Sequence, residues 1–220
     1  MFASALQPAP MPPVVRDWFR QYFAFEEYLK RFPQLEIATL GPEGTSSEAA
    51  VKYFVSSFED KKDSMYSLYA TYEQAFEALL QGKSNLLVVA NAYERIDKFY
   101  MAPDAQFVLS FIFTTPPYGV AKLPIHELRR KWKVRIATHH APSSLIPWFL
   151  AGQGLEYDIA LVTSTSEAAL CVQRGDADLC VTNALSAERC GLIFISPTRS
   201  ISMLWSVFGA KDGISIVAPS

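Results

Sequence analysis

Along residues 14–32, Val15, Trp18, Phe19, Tyr22, Phe23 and Leu29 recur at spacings of three and four. Glu26 is the one polar member of the stripe, so the sequence predicts an amphipathic helix lying across the main body or in a dimer interface. Pro33 closes it, because proline disfavours αR at the residue before it. From residue 35 onward, short β-rich runs alternate with helical patterns. Strands are predicted at 35–40, 65–69, 86–90, 107–114, 118–123, 134–138, 159–162, 179–182, 192–196 and 201–208, and helices near 47–58, 72–80, 143–150, 166–174 and 184–190. Alternation of this kind predicts predominantly parallel sheets with helices on their faces.

The sharpest break is Thr114-Thr115-Pro116-Pro117, and a similar one follows at 196–199. We read the chain as leaving a first lobe near the prolines, building a second, and returning near Pro197 to add its last strand to the first. The expected organisation is an N-terminal extension (1–34), lobe 1 (35–115 and 198–220) and lobe 2 (116–197). Two crossings of this kind make a hinged cleft in a two-lobed α/β fold.

Composition narrows the partner. Half of the 220 residues are apolar, enough for a core without disulfides or metals. A net charge of −2 leaves no basic excess for a phosphate backbone, so nucleic acid is not an expected partner. Cys171, Cys180 and Cys190 show no C-x-x-C spacing and read as reduced thiols. The histidines, His126 and the adjacent His139 and His140, do not form a chelating set, because sequence neighbours project in different directions. No metal or cofactor is expected. Residues 1–13 lack the basic flank and apolar run of a secretory signal, and no run is long enough to span a bilayer, so a cytoplasmic location is expected.

Three helix starts, Thr45-Ser46-Ser47-Glu48, Thr71-Tyr72-Glu73-Gln74 and Ser164-Thr165-Ser166-Glu167, fit the capping box. Thr71 reads as a cap alone. The first start follows Gly41-Pro42-Glu43-Gly44, and the third stacks three hydroxyls, so both suit a carboxylate. Ala141-Pro142-Ser143-Ser144, after a strand end, is a third candidate mouth. In open α/β sheets ligands collect beyond the carboxyl ends of strands.

The run Leu40-Gly41-Pro42-Glu43-Gly44-Thr45-Ser46-Ser47-Glu48-Ala49-Ala50 resembles the opening motif of the prephenate dehydratases, and a weaker likeness continues through Ser164-Thr165-Ser166-Glu167-Ala168-Ala169 to about Phe208. That resemblance implies a fold like the type II periplasmic binding proteins, with prephenate between the lobes and its two carboxylates at two helix mouths. The departures point further. Where the dehydratases carry glutamate-asparagine-serine, this chain has Ala90-Asn91-Ala92; where they carry threonine-arginine-phenylalanine, it has Ser206-Val207-Phe208. Asn91-Ala92-Tyr93, Lys98-Phe99-Tyr100-Met101-Ala102-Pro103-Asp104, Pro117-Tyr118-Gly119 and Met203-Leu204-Trp205-Ser206-Val207-Phe208-Gly209 are instead similar to the non-aromatising prephenate decarboxylases of bacilysin, salinosporamide and aeruginosin biosynthesis. The dehydratases usually carry a phenylalanine-sensing domain; nothing after Ser220 houses one, so feedback regulation is not expected.

The resemblance implies loss of carbon dioxide from the ring carboxylate, retention of the ring hydroxyl and protonation of a ring carbon. A dehydratase must protonate the departing hydroxyl, whereas a decarboxylase must withhold acid there. Loss of the cationic donor at Val207 fits the second case. The expected proton sources are His140, Tyr93 and Ser206, with Tyr100 or water as alternatives. Gly44, Thr45, Ser46, Ser143, Ser144, Ser164 and Thr165 are expected to bind carboxylates, and Asn91, Asn183, Tyr100, Met101 and Trp205 to complete the substrate site. Two other readings stay open: a dehydratase giving phenylpyruvate, and a prephenate-binding module without catalysis.

Overall fold

The computed structural model describes residues 11–61, 63–125 and 133–211. The opening segment 1–10, His126 and the tail 212–220 lie outside the described residues. In chain order the elements are α1 (Pro13–Leu29), β1 (Glu36–Leu40), α2 (Ser46–Ser56), a 3-10 turn (Glu59–Lys61), β2 (Met65–Tyr69), α3 (Tyr72–Leu80), β3 (Leu86–Ala90), α4 (Asp97–Tyr100), β4 (Ala105–Thr114), β5 (Tyr118–Lys122), β6 (Val134–Thr138), α5 (His140–Ser143), α6 (Ile146–Phe149), β7 (Tyr157–Leu161), α7 (Thr165–Arg174), β8 (Leu179–Asn183), α8 (Ala184–Arg189), β9 (Ile193–Phe194) and β10 (Ser202–Ala210). None of the described helices is long and apolar enough to cross a membrane.

These strands form two five-stranded sheets, ordered β2-β1-β3-β10-β4 and β7-β6-β8-β5-β9. The central strands of the two sheets, β3 and β8, are buried along their whole length, as strands covered on both faces must be. The expectation of predominantly parallel sheets needs correction, because both are mixed. In the first, β1 runs parallel to β2 and β3, while β10 is antiparallel to β3 and β4. In the second, β6 runs parallel to β7 and β8, while β5 is antiparallel to β8 and β9. The reason is the crossing: β4 leaves the first sheet where β10 returns to it, so the two run in opposite directions. The crossing segments also pair with each other. Thr115 N–H donates to the Ile201 carbonyl at 3.0 Å, and Tyr118 and Arg199 exchange backbone bonds of 2.8 Å each way.

Two local expectations change. The helix predicted at 143–150 is instead two single turns, α5 and α6. Pro147 has no N–H to give the carbonyl four residues back, so one helix cannot run through it. Helix α1 docks only by its end: Phe25, Tyr28 and Leu29 are buried, Phe25 against Phe54 and Phe58, whereas Val14, Trp18, Phe19 and Phe23 face solvent.

The lobes are joined beside the crossing by side chains that reach from one to the other. The Gly44 carbonyl accepts from Asn183 Nδ2 at 2.9 Å and from Ser186 Oγ at 2.8 Å. The Ser46 and Tyr118 hydroxyls are hydrogen-bonded at 2.7 Å, and an exposed Arg189–Glu43 ion pair lies alongside. Gly44 has φ +87°, and a Cβ there would stand 3.0 Å from Arg189 Cδ and 3.2 Å from Ser186 Oγ. Only glycine meets both demands without strain. Asn183 also caps α8, its Oδ1 accepting from Ser186 N–H at 3.0 Å. Asn183→Ala therefore removes a cap and an inter-lobe bond together, at a cost of about 2–3 kcal/mol, whereas Ser186→Ala keeps the cap but loses its bonds to the Gly44 carbonyl and the Ser166 hydroxyl, at a cost of about 1–2 kcal/mol. Urea melts will show the difference as unequal falls in midpoint; equal falls would contradict this division.

Candidate active site

Three of the caps read from sequence form. Thr45 Oγ1 accepts from Glu48 N–H at 3.1 Å, Thr71 Oγ1 from Gln74 N–H at 3.2 Å, and Ser164 Oγ from Glu167 N–H at 3.0 Å. At α2 the reciprocal arm is also made, but it reaches Gly44 N–H rather than the cap itself, with Glu48 Oε2 2.6 Å away. Burial opposes the Glu48 charge, but Lys52, the Gly44 N–H and Tyr66 outweigh it and hold the carboxyl below its ordinary range. These caps satisfy one first-turn donor each, leaving the earliest N–H groups of α2 and α7 outside the helical ladder.

The mouths of α2 and α7 open on one inter-lobe cleft. Thr45, Ser46 and Ser47 line it from the first lobe, and Ser164 and Thr165 from the second. Tyr72, Tyr93, Tyr118, Met203 and Trp205 form aromatic and apolar walls, with His139, Ala141 and Pro142 on a further side. Among the described residues that line the cleft there is no Lys, Arg, Asp or Glu. Any anion seated here meets N–H groups, hydroxyls and helix dipoles rather than a full positive charge.

The tyrosine hydroxyls are all engaged. Ser47 Oγ lies 2.8 Å from Tyr72 Oη, which also accepts from Ala90 N–H at 3.2 Å. Tyr93 donates to Glu73, whose two oxygens lie 2.8 and 2.9 Å away, and Arg95 pairs with the same carboxylate. Burial pushes Tyr72 up to about 12, and burial together with Glu73 pushes Tyr93 up to about 12. Tyr118 is likewise raised by burial. None of the three is a ready acid near neutrality.

The sequence-predicted residues divide. Thr45, Ser46, Ser164, Thr165, Tyr93 and Trp205 line the cleft; Gly44 and Asn183 sit behind it in the inter-lobe contact, the Asn183 amide donating to the Gly44 carbonyl while Gly44 N–H goes to Glu48 and Asn183 Oδ1 accepts from Ser186 N–H. Ser206 turns to the opposite face of β10 from Trp205, where its hydroxyl meets Tyr100 Oη at 2.6 Å and Asn91 Oδ1 at 2.8 Å. Asn91, Ser206 and Tyr100 therefore form a cluster of their own, outside the cleft lining. Met101 is 80% exposed. Ser143 closes the end of α5, donating to the His140 carbonyl at 2.6 Å, and Ser144 follows it, so neither lies at a helix mouth.

The histidine that lines the cleft is His139, not His140. His140 faces solvent, 3.6 Å from the Glu94 carboxylate. His139 caps α5, its Nδ1 accepting from Ala141 N–H at 3.3 Å. Burial first, and then the neighbouring His140, lower the His139 pKa, against a smaller opposing pull from Glu94. Proline at a first helical position would have named Ala141 as the cap, but Pro142 is the third residue of α5, so no local pattern singles out His139. Tyr72 and Ser47 were missed because both read as ordinary first-turn residues. Trp205 is 1% exposed, and its Nε1 and Ser84 Oγ are the buried side-chain polar atoms without a partner among the described residues.

No family model matches the chain. A protein of Bacillus subtilis (strain 168) named prephenate decarboxylase is 40% identical over 182 residues, covering 81% of this chain and 88% of that relative. One from Planktothrix agardhii (strain NIVA-CYA 126/8) with the same name is 39% identical over 184 residues, covering 82% and 90%. Among solved structures, the prephenate dehydratase of Arthrobacter aurescens in complex with L-Phe superposes with a TM-score of 0.61 at 16% identity. That match covers 80% of this chain but spans only 60% of the dehydratase, and it speaks for the two-lobed fold alone. Identity of about two residues in five over four-fifths of the chain shows that the chain belongs to the prephenate decarboxylase family.

Proposed function

We propose that this protein decarboxylates prephenate without aromatising it, giving a dihydro-4-hydroxyphenylpyruvate that keeps its ring alcohol. The observation that carries the reading is the cleft between the α2 and α7 mouths, lined among the described residues by no charged side chain. Two helix termini suit the two carboxylates of one ligand. The departing carboxylate is met by a helix end but by no Lys or Arg, so its ground state is stabilised less than an ion pair would make it, which favours its loss as carbon dioxide. Expulsion of the hydroxyl would need an acid beside it. Tyr93 has its proton committed to Glu73, and Tyr72 and Tyr118 titrate too high. The indole of Trp205 is a donor that does not ionise, so it can hold an oxygen without protonating it. Val207, in place of the dehydratases' arginine, is fully buried and supplies no proton.

A role in making a non-proteinogenic amino acid or natural product, a cytoplasmic location and a homodimer formed through the exposed aromatic face of α1 complete the reading. The competing dehydratase reading draws on the motif around Gly41 and predicts a different product.

Incubation of the protein with prephenate, followed by absorbance and chiral chromatography, will give carbon dioxide and a non-aromatic hydroxy acid; phenylpyruvate as the main product would overturn the proposal. Trp205→Phe deletes a donor that has no protein partner, so the fold is spared while KM for prephenate rises roughly tenfold, the equivalent of one hydrogen bond. An unchanged KM would remove Trp205 from the binding set.

A further inference from the structure

Non-aromatising decarboxylation consumes one proton per turnover, and that proton must reach a ring carbon in a cleft whose phenols are committed elsewhere. Among the described residues of the lining, His139 is the one side chain whose ordinary titration range lies near neutrality. Its Nδ1 accepts from the Ala141 amide, so in the neutral ring the proton sits on Nε2. Burial keeps the imidazole neutral while the cleft is empty. A bound dicarboxylate changes the balance. It brings two negative charges into a wall without Lys or Arg, and each helix mouth offers only about half a positive charge.

We propose that His139 takes up a proton on Nδ1 when the dianionic substrate enters, releasing the Ala141 N–H, and delivers its Nε2 proton to the ring carbon as carbon dioxide leaves. The inference rests on the reading of the cleft as a prephenate site. In the step, the bond between ring carbon and carboxylate breaks and releases carbon dioxide. Its electron pair moves into the diene, whose far end takes the Nε2 proton and forms a C–H bond. The imidazolium becomes the neutral Nδ1–H tautomer, and proton exchange with solvent returns it to the Nε2–H form that caps α5 before the next substrate. Nothing is oxidised or reduced.

The groups around His139 set the direction of its response. Glu94 favours the cation, whereas His140 and the Ala141 N–H, which must leave Nδ1 when that nitrogen is protonated, oppose it. The mouth of α7, at Ser164 and Thr165, also opposes a cation, whereas the Tyr93–Glu73–Arg95 cluster across the cleft is already internally paired. A substrate carboxylate is therefore the added charge that shifts the equilibrium. The form that delivers the proton is the protonated one, so turnover falls as pH rises past the value at which the bound complex loses it.

The test compares the native protein with His139→Asn, His139→Gln and His140→Gln. Asparagine is a favoured cap, so His139→Asn keeps the acceptor for Ala141 N–H while removing the exchangeable proton. Stopped-flow mixing of excess protein with prephenate, in weak buffer with a pH indicator, is expected to show a rapid proton uptake before prephenate absorbance is lost. That phase should vanish in both His139 variants and persist in His140→Gln. The His139 variants should lose roughly 100-fold or more in kcat, the size expected for a lost general acid, and their KM should rise, because a proton drawn in by the substrate strengthens substrate binding in return. Their residual rate should no longer fall with rising pH. Native rates in a folded His139→Asn protein, or a surviving uptake phase, would overturn the proposal alone. Failure of the native protein to consume prephenate would overturn the underlying reading and the proposal with it.

Discussion

The carbonyl of Gly44 accepts two hydrogen bonds from side chains that belong to the other half of the molecule, Asn183 and Ser186. Its own N–H is taken by Glu48, so the residue is fixed on both sides of its α-carbon. Because Gly44 immediately precedes the cap of α2, this contact sets where that helix points. The α2 mouth then faces the mouth of α7, and two positive helix ends share one buried space. Helix termini repel each other in such an arrangement unless an anion lies between them. Hydrogen bonds across the joint, each worth about 1 kcal/mol net, hold the pair in place ahead of any ligand.

What the cleft lacks matters as much as what it holds. Serine and threonine hydroxyls, backbone N–H groups and an indole provide direction without strong acidity. Glu73 and Arg95, the nearest acid and base to Tyr93, neutralise each other behind the wall. A site of this kind grips oxygen atoms by geometry and leaves a reacting group no stronger an acid than the imidazole of His139.

Much of the architecture could be read from the chain. Strand positions followed from β-rich runs, and the caps at Thr45, Thr71 and Ser164 followed from residue type and spacing. Three features could not be read in that way. His139 and His140 are adjacent and chemically identical, and only the packing of α5 decides which of them is covered. Ser206 and Trp205 are separated by one position, and the alternation of β10 sends them to opposite faces of the sheet; a register aligned by motif names both but does not say which side meets the ligand. Asn183 follows a strand and has the chemistry of a substrate contact, yet its amide is spent between lobes, a pairing of residues 139 positions apart that no local pattern announces.

The place of β10 has a consequence for how the protein is made. The last strand of the described chain lies inside the first sheet, flanked by β3 and β4. A ribosome therefore releases four of that sheet's five strands early and the fifth only after the whole second sheet has emerged. Until then the inner edges of β3 and β4 have no neighbour to pair with, and an unpaired strand edge invites association with other chains. Closure of the first sheet waits on synthesis of the second, so the first half cannot be completed before the second has been made, and premature termination before Ser202 would leave a nascent chain with an open slot between β3 and β4.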